Sequence, residues 1–214
     1  MKKELSTCPK GLKEEYGFSW MEHVLAIPSP LVTVTTYKNN GAANATMQSW
    51  CTFAGDENSY HVIFGSVNKC GHMYKSCKET NCCVVNLPSK EVFHKCMETI
   101  NKNEFDTDEI TASRLTSVKA HKVNAPMIDE CMVSLECEFE WEHDLVENGS
   151  HAVMCFKVIN IWMEENLWDE NIQGRYGNSR YLYNIHSPQN PNTGEEYETF
   201  VGTITINASY DYLN

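Results

Sequence analysis

Several stretches of this chain alternate apolar and polar positions with a period of two, which predicts strands more than helices. AIPSPLVTVTTY (26–37) passes from two prolines into β-branched alternation, a strand entered from extended chain. ANATMQSWCTF (43–53) alternates again, and YHVIFGSV (60–67) makes a third strand, with AGDENS (54–59) as a hairpin loop between them. The period then changes. At 68–81 Gly71 opens a helix that carries Met73, Tyr74 and Cys77 at helical spacing. CCVVNL (82–87) is a short buried strand stopped by Pro88. SKEVFHKCMETI (89–100) is the clearest helix, with Val92, Phe93, Cys96, Met97 and Ile100 on one face and Ser89 as its cap.

The acidic NEFDTDE (103–109) reads as a solvated turn or loop. From 131 to 141 the odd positions are Cys131, Val133, Leu135, Cys137, Phe139 and Trp141, while Glu136, Glu138 and Glu140 occupy even ones. One face should therefore lie in a core and the other in water. AVMCFKVINIWM (152–163) is apolar on both faces and should be a central strand, joined to the preceding one as a long antiparallel hairpin. Beyond 166 the chain turns irregular and aromatic, and FVGTITINA (200–208) can add a late edge strand. Strands do not alternate with long helices, so a doubly wound parallel sheet is disfavoured. The pattern favours a mainly β fold, an antiparallel barrel with a few peripheral α-helices. It divides into a core barrel over about 25–165, an N-terminal arm (1–24) with Phe18 and Trp20, and a C-terminal extension (166–214) that covers a site or a neighbouring subunit.

Composition narrows the class. With 29 acidic against 17 basic residues the net charge is −12, which disfavours a nucleic-acid partner but not a single phosphate group. No apolar run approaches the roughly 18 residues needed to cross a bilayer, so neither a membrane nor a leader is expected. Ten cysteines in a chain with ample apolar residues point to free thiols in a reducing, cytoplasmic setting. Their spacing contains no paired C-x2-C units, and the histidines show no i,i+4 pairing, so no metal site is expected. No nucleophile elbow G-x-S-x-G occurs either.

Three segments together carry a resemblance: NGAANATMQSW (40–50), CCVVNLPS (82–89) and the long run 108–141 that contains TASRLTS. In order and spacing they resemble the flavin reductase-like, flavoredoxin-type family of FMN-binding split barrels. The first is similar to the family's N-x-M-T-x-S-W, keeping Asn44, Ser49 and Trp50 but reversing Met and Thr as Thr46-Met47. VVNLPS carries Asn86 where relatives place it at the flavin ring. Two departures stand out. Met73, before Tyr74, occupies a place where a hydroxyl residue is usual, and Arg114 replaces a glycine, where it faces water.

The resemblance implies a Greek-key type split barrel, a homodimer with FMN in a cleft between subunits, and electron transfer through the flavin. The donor is NAD(P)H or a redox protein; the acceptor is a small molecule or another flavin. FMN poses distinct problems of recognition. Its phosphate suits a helix N-terminus preceded by Lys, and Asn68-Lys69-Cys70-Gly71-His72 has that make-up. Its ring needs close backbone approach and hydrogen bonds at the polar edge. The site residues expected are Thr46, Met47, Gln48, Ser49 and Trp50 at the ring, Asn86 near its edge, and Lys69 with His72 near the phosphate. Two alternatives remain open: a non-enzymatic electron carrier, and a barrel that has lost flavin and serves as a binding module.

Overall fold

The computed structural model describes residues 2–12, 18–168 and 180–205. Its strands are β1 (Ser29–Pro30), β2 (Val32–Tyr37), β3 (Ala43–Gln48), β4 (Cys51–Asp56), β5 (Ser59–Asn68), β6 (Cys82–Leu87), β7 (Ser117–Lys119), β8 (Pro126–Ile128), β9 (Val133–Asp144), β10 (His151–Met163), β11 (Leu182–Asn184) and β12 (Val201–Thr203). The helices are α1 (Trp20–Leu25), α2 (His72–Thr80), α3 (Lys90–Glu98) and α4 (Glu109–Ala112). Seven strands form one sheet in the order β3-β2-β6-β9-β10-β5-β4, with antiparallel neighbours throughout. The sheet curls without closing, which is the expected split barrel. Its two edges, β3 and β4, are consecutive in sequence yet unpaired.

That split has a local cause. The alternating block 43–53, read from sequence as one strand, breaks at Ser49-Trp50, where Trp50 takes a left-handed φ of 41°. A non-glycine residue held there costs on the order of 1–2 kcal/mol. The bend is pinned by the Gly65 N–H, which donates to the Trp50 carbonyl at 2.7 Å. A Cβ at Gly65 would approach that oxygen to 3.2 Å, so a larger residue would push the bend open.

The barrel interior holds Val32, Val34, Val62, Phe64, Val85, Leu135, Cys137 and Phe156, and α2 contributes Met73 and Cys77 to it. Met73 thus spends its side chain on the core. In β6, Cys83 and Val85 face this interior while Cys82 and Val84 join a second cluster with Ala120, Ala125 and Met127. The strand is buried on both faces, as its unbroken apolar run requires. The outer side of β3 packs through Ala43 and Ala45 against Cys96, Ile110 and Leu115. All ten cysteines are free thiols.

Several expectations change. The helix over 89–100 ends at Glu98 and tightens into a 3-10 turn, and of its apolar face only Cys96 is fully buried within α3. Met97 and Ile100 remain 37 % and 53 % exposed. Ser89 stands at the cap position without a side-chain cap bond. The acidic stretch is not wholly solvated, because Glu109 is buried. In β9, Glu138 and Glu140 reach water but Glu136 is 0 % exposed, whereas Trp141, expected in the core, is 39 % exposed. Arg114 is exposed and left-handed, with φ 59°, the backbone state that makes glycine the ordinary choice at such a turn. The late strand forms as β12, in a small sheet ordered β1-β11-β12; residues 206–208 of that expectation lie outside the described residues.

Candidate functional site

A cleft of about 620 Å³ opens at the barrel split. The strand break forms one wall, with Thr46, Met47, Gln48, Ser49 and Trp50, while Phe93, Met97 and Ile100 from α3 and its 3-10 turn form another. Thr46, Gln48, Asn68 and Ile100 also border a smaller pocket of about 150 Å³ at the start of α2, which is lined further by Gly71 and His72. The two adjoin. None of the described residues lining either one is Lys, Arg, Asp or Glu; His151 and His72 are the titratable groups among them. The large cleft therefore suits an uncharged group, and its volume falls in the range of roughly 300–1,000 Å³ common for cofactor sites.

The smaller pocket suits an anion for a different reason. α2 begins at Gly71 with no side-chain cap and no acidic residue in its first turn, so first-turn N–H groups remain for a ligand. His72 stands over it. Its Nδ1 faces Glu109 Oε1 at 3.6 Å, and Phe105 meets its ring edge-on. Glu109 is itself anchored, since Lys38 Nζ lies 2.8 Å from Oε1 and the Ala45 N–H donates to Oε2 at 2.8 Å. Lys38 also donates to the carbonyls of Glu104 and Thr107. This buried ion pair fixes the middle of edge strand β3 against the 103–109 loop.

Of the eight residues expected from sequence, six border these cavities. Thr46 and Gln48 touch both, Met47, Ser49 and Trp50 the large one, and His72 the small one. Thr46 lines the cleft despite the reversed Thr46-Met47 order, with its Oγ1 accepting from Asn44 Nδ2 at 3.2 Å. Met47 Sδ accepts from Thr33 Oγ1.

Lys69 and Asn86 lie elsewhere. Lys69 pairs with Asp144 and borders neither cavity. Asn86 is wholly buried; its amide donates to the Thr33 carbonyl and Thr35 Oγ1, and its Oδ1 accepts from the Ile128 N–H and Ser134 Oγ. An Asn with every polar atom satisfied inside the sheet has a structural role in tying β2, β6, β8 and β9 together.

Other groups at the cleft escaped the sequence reading. His151, the first residue of β10, has no i,i+4 partner in the sequence to announce it; it lines the cleft, with Nδ1 3.0 Å from Ser150 Oγ. Phe18 stacks on Trp50 at 4.5 Å, and His186 also packs against the same indole, at 4.6 Å. Asn184, Thr199 and Val201 reach the cleft from the C-terminal segment, whose irregular sequence carries no period from which to read their direction. Among the described residues no group of three or more His, Cys, Asp or Glu side chains could hold a metal ion.

Comparison with known proteins agrees with this geometry. The profile of the Flavin reductase like domain matches residues 24–182. A protein of Aquifex aeolicus with no assigned role is 28% identical over 155 residues, covering 71% of this chain and 78% of its own. Among solved structures, nitrilotriacetate monooxygenase component B from Bacillus cereus superposes with a TM-score of 0.76 at 15% identity, over 98% of this chain and 100% of that one. The flavoredoxin of Desulfovibrio vulgaris gives 0.67 at 17% identity, over 100% and 98%.

Proposed function

The chain belongs to the Flavin reductase like domain family, and from that premise we propose that it binds FMN at the barrel split and passes electrons through it. The donor is NAD(P)H or a redox protein, and the acceptor is a small molecule or a free flavin. One observation carries this reading: an uncharged cleft at a strand edge runs into a small pocket at the start of α2. That pairing matches a planar ring joined to one phosphate. It matches FAD less well, because none of the described residues along the large cleft's walls carries a cationic side chain to meet a second phosphate.

When bound, the flavin ring supplies the redox chemistry, accepting a hydride or single electrons and releasing them again. The protein's part is recognition and shielding. Thr46, Ser49 and the unpaired edge of β3 offer donors and acceptors to a polar ring edge, while Met47, Phe93 and Trp50 exclude water from its faces. His72, backed by Glu109, can donate a hydrogen bond to a phosphate oxygen. Met73 borders the small pocket from the core but brings no hydroxyl to it, and His72 takes over the work of the missing hydroxyl. The exposed Met97 and Ile100 at the cleft rim support a homodimer whose second copy completes the site. The free thiols support a reducing, cytoplasmic setting, and among the described residues no helix is long and apolar enough to cross a membrane.

The test is the visible spectrum of the purified protein, before and after FMN addition and gel filtration, followed by NADH and NADPH oxidation. Retention of about one FMN per chain with nicotinamide oxidation is the expected result. FMN retained without such oxidation makes the protein a carrier fed by another protein. Failure to retain FMN, FAD or riboflavin overturns the reading and leaves the binding-module alternative.

A further inference from the structure

The hydrogen bonds that join the C-terminal segment to the strand break leave the Ser49 hydroxyl proton without an acceptor among the described residues. The chain of reasoning starts at Asn184, the last residue of β11. Its Oδ1 accepts the His186 backbone N–H at 3.0 Å, and an amide N–H can meet only the oxygen end of the side chain. The NH2 end is thereby directed away, to Ser49 Oγ at 3.0 Å and to His186 Nδ1 at 3.4 Å. An Asn whose two ends are ordinarily hard to tell apart is here oriented by its neighbours.

His186 follows. With Nδ1 as acceptor, its proton sits on Nε2 and points to Ser29 Oγ at 3.2 Å, which also accepts the Trp50 N–H at 3.1 Å. Burial, opposed in part by the Ile27 carbonyl, pushes the imidazole below its usual pKa and keeps it neutral. Ser49 comes last. Its Oγ accepts from Asn184 and makes no other hydrogen bond among the described residues, yet the residue is only 5 % exposed and lines the cleft. A buried hydroxyl whose own proton lacks an acceptor calls for one from a ligand.

We propose that Asn184 is a positioning residue that holds Ser49 as a hydrogen-bond donor to an acceptor atom of the ring bound in the cleft, a carbonyl oxygen or an unprotonated ring nitrogen. The inference rests on the flavin reading above. It concerns a residue beyond position 182, where the family match ends. A donor at such an atom favours the electron-rich reduced ring over the oxidised one. The C-terminal segment thus contributes to both affinity and potential.

Asn184→Asp tests this with little change of shape. One carboxylate oxygen still accepts the His186 N–H, but the other can only accept from Ser49 and turns its proton away from the cleft. Ser49→Ala removes the proton outright. FMN dissociation constants and midpoint potentials are to be measured for both variants, for Asn184→Ala, and for Asn184→Ala combined with Ser49→Ala, with circular dichroism as the check on folding. Asn184→Asp and Ser49→Ala should each weaken FMN by about tenfold, the worth of one such bond. Both should also move the potential to more negative values. In the Ser49→Ala background, Asn184→Ala should add nothing further. Variants that bind FMN as the unaltered protein does, or an Asn184→Ala loss that is undiminished without Ser49, overturn the inference while leaving the flavin reading intact. An unaltered protein that retains no flavin overturns both.

Discussion

Glu136 accepts four hydrogen bonds, from Trp162 Nε1 at 2.6 Å, Asn160 Nδ2 at 2.7 Å and the N–H groups of Lys122 and Val123. Burial by itself would raise its pKa, but the bonds from Trp162, Asn160 and the Lys122 backbone outweigh that and hold it at about 2. Its folded pKa lies below the unfolded value of 4.5, so the stabilisation is fully present above that value. It is lost as pH falls from about 4.5 through about 2. At neutral pH it is worth on the order of 3 kcal/mol. Glu136→Gln should therefore lower unfolding free energy by about that amount in urea titrations at pH 7 and by much less near pH 2, since Gln cannot accept at both of its ends. An equal loss at both pH values would refute this account. The sequence pattern put Glu136 in water because a period of two says which face a residue is on, not what else covers that face. Here the turn over 120–125 covers it. Glu109 was misplaced for the same kind of reason: its partner Lys38 lies 71 positions away, so nothing local announces a buried pair.

Elements were legible where their period was long and uniform. The hairpin of β9 and β10, the two-faced burial of β6 and the opening of α2 at Gly71 could all be read from residue spacing. Breaks were not. The bend at Ser49-Trp50 interrupts a block whose alternation continues through it, and its cause is a tertiary contact with Gly65 and Ser29. The same holds for the C-terminal segment, whose strands β11 and β12 are three residues each and are aligned by β1 rather than by their own sequence. α1 also went unread, yet it anchors this segment through the His23 carbonyl, which accepts the Gln189 N–H at 2.9 Å. At this scale the lowered pKa of His186, caused first by burial, has a consequence. Its folded value lies below the unfolded 6.5, so docking of the segment is fully favoured above that pH and weakens as pH falls through the folded value. Amide hydrogen exchange over 180–205 should accordingly speed up on acidification from pH 7 to 5, after correction for intrinsic rates, while β9 and β10 stay protected. Unchanged protection of the segment would show that His186 stays neutral throughout or contributes nothing to docking.

Across the whole molecule, apolar exposure and net charge act in opposite directions. Met97, Ile100 and Phe105 are 37 %, 53 % and 49 % exposed; the first two border the cleft, and the third packs on His72. Apolar side chains grouped at the rim of a site are what a self-association surface requires, and a stable one buries roughly 800 Å² per partner. A charge of −12 on each copy opposes that contact at long range. Salt screens the repulsion within about 10 Å at 0.1 M and leaves apolar burial in place. The proposed dimer should therefore tighten as salt rises from 20 to about 300 mM, the reverse of an interface built on ion pairs. Met97→Glu with Ile100→Glu should yield a monomer in sedimentation equilibrium, and FMN affinity should fall with it because those side chains also wall the cleft. A protein that sediments as a monomer at all salt concentrations, yet holds FMN, would mean that one copy completes its own site. The exposed rim would then be free to receive the redox partner instead.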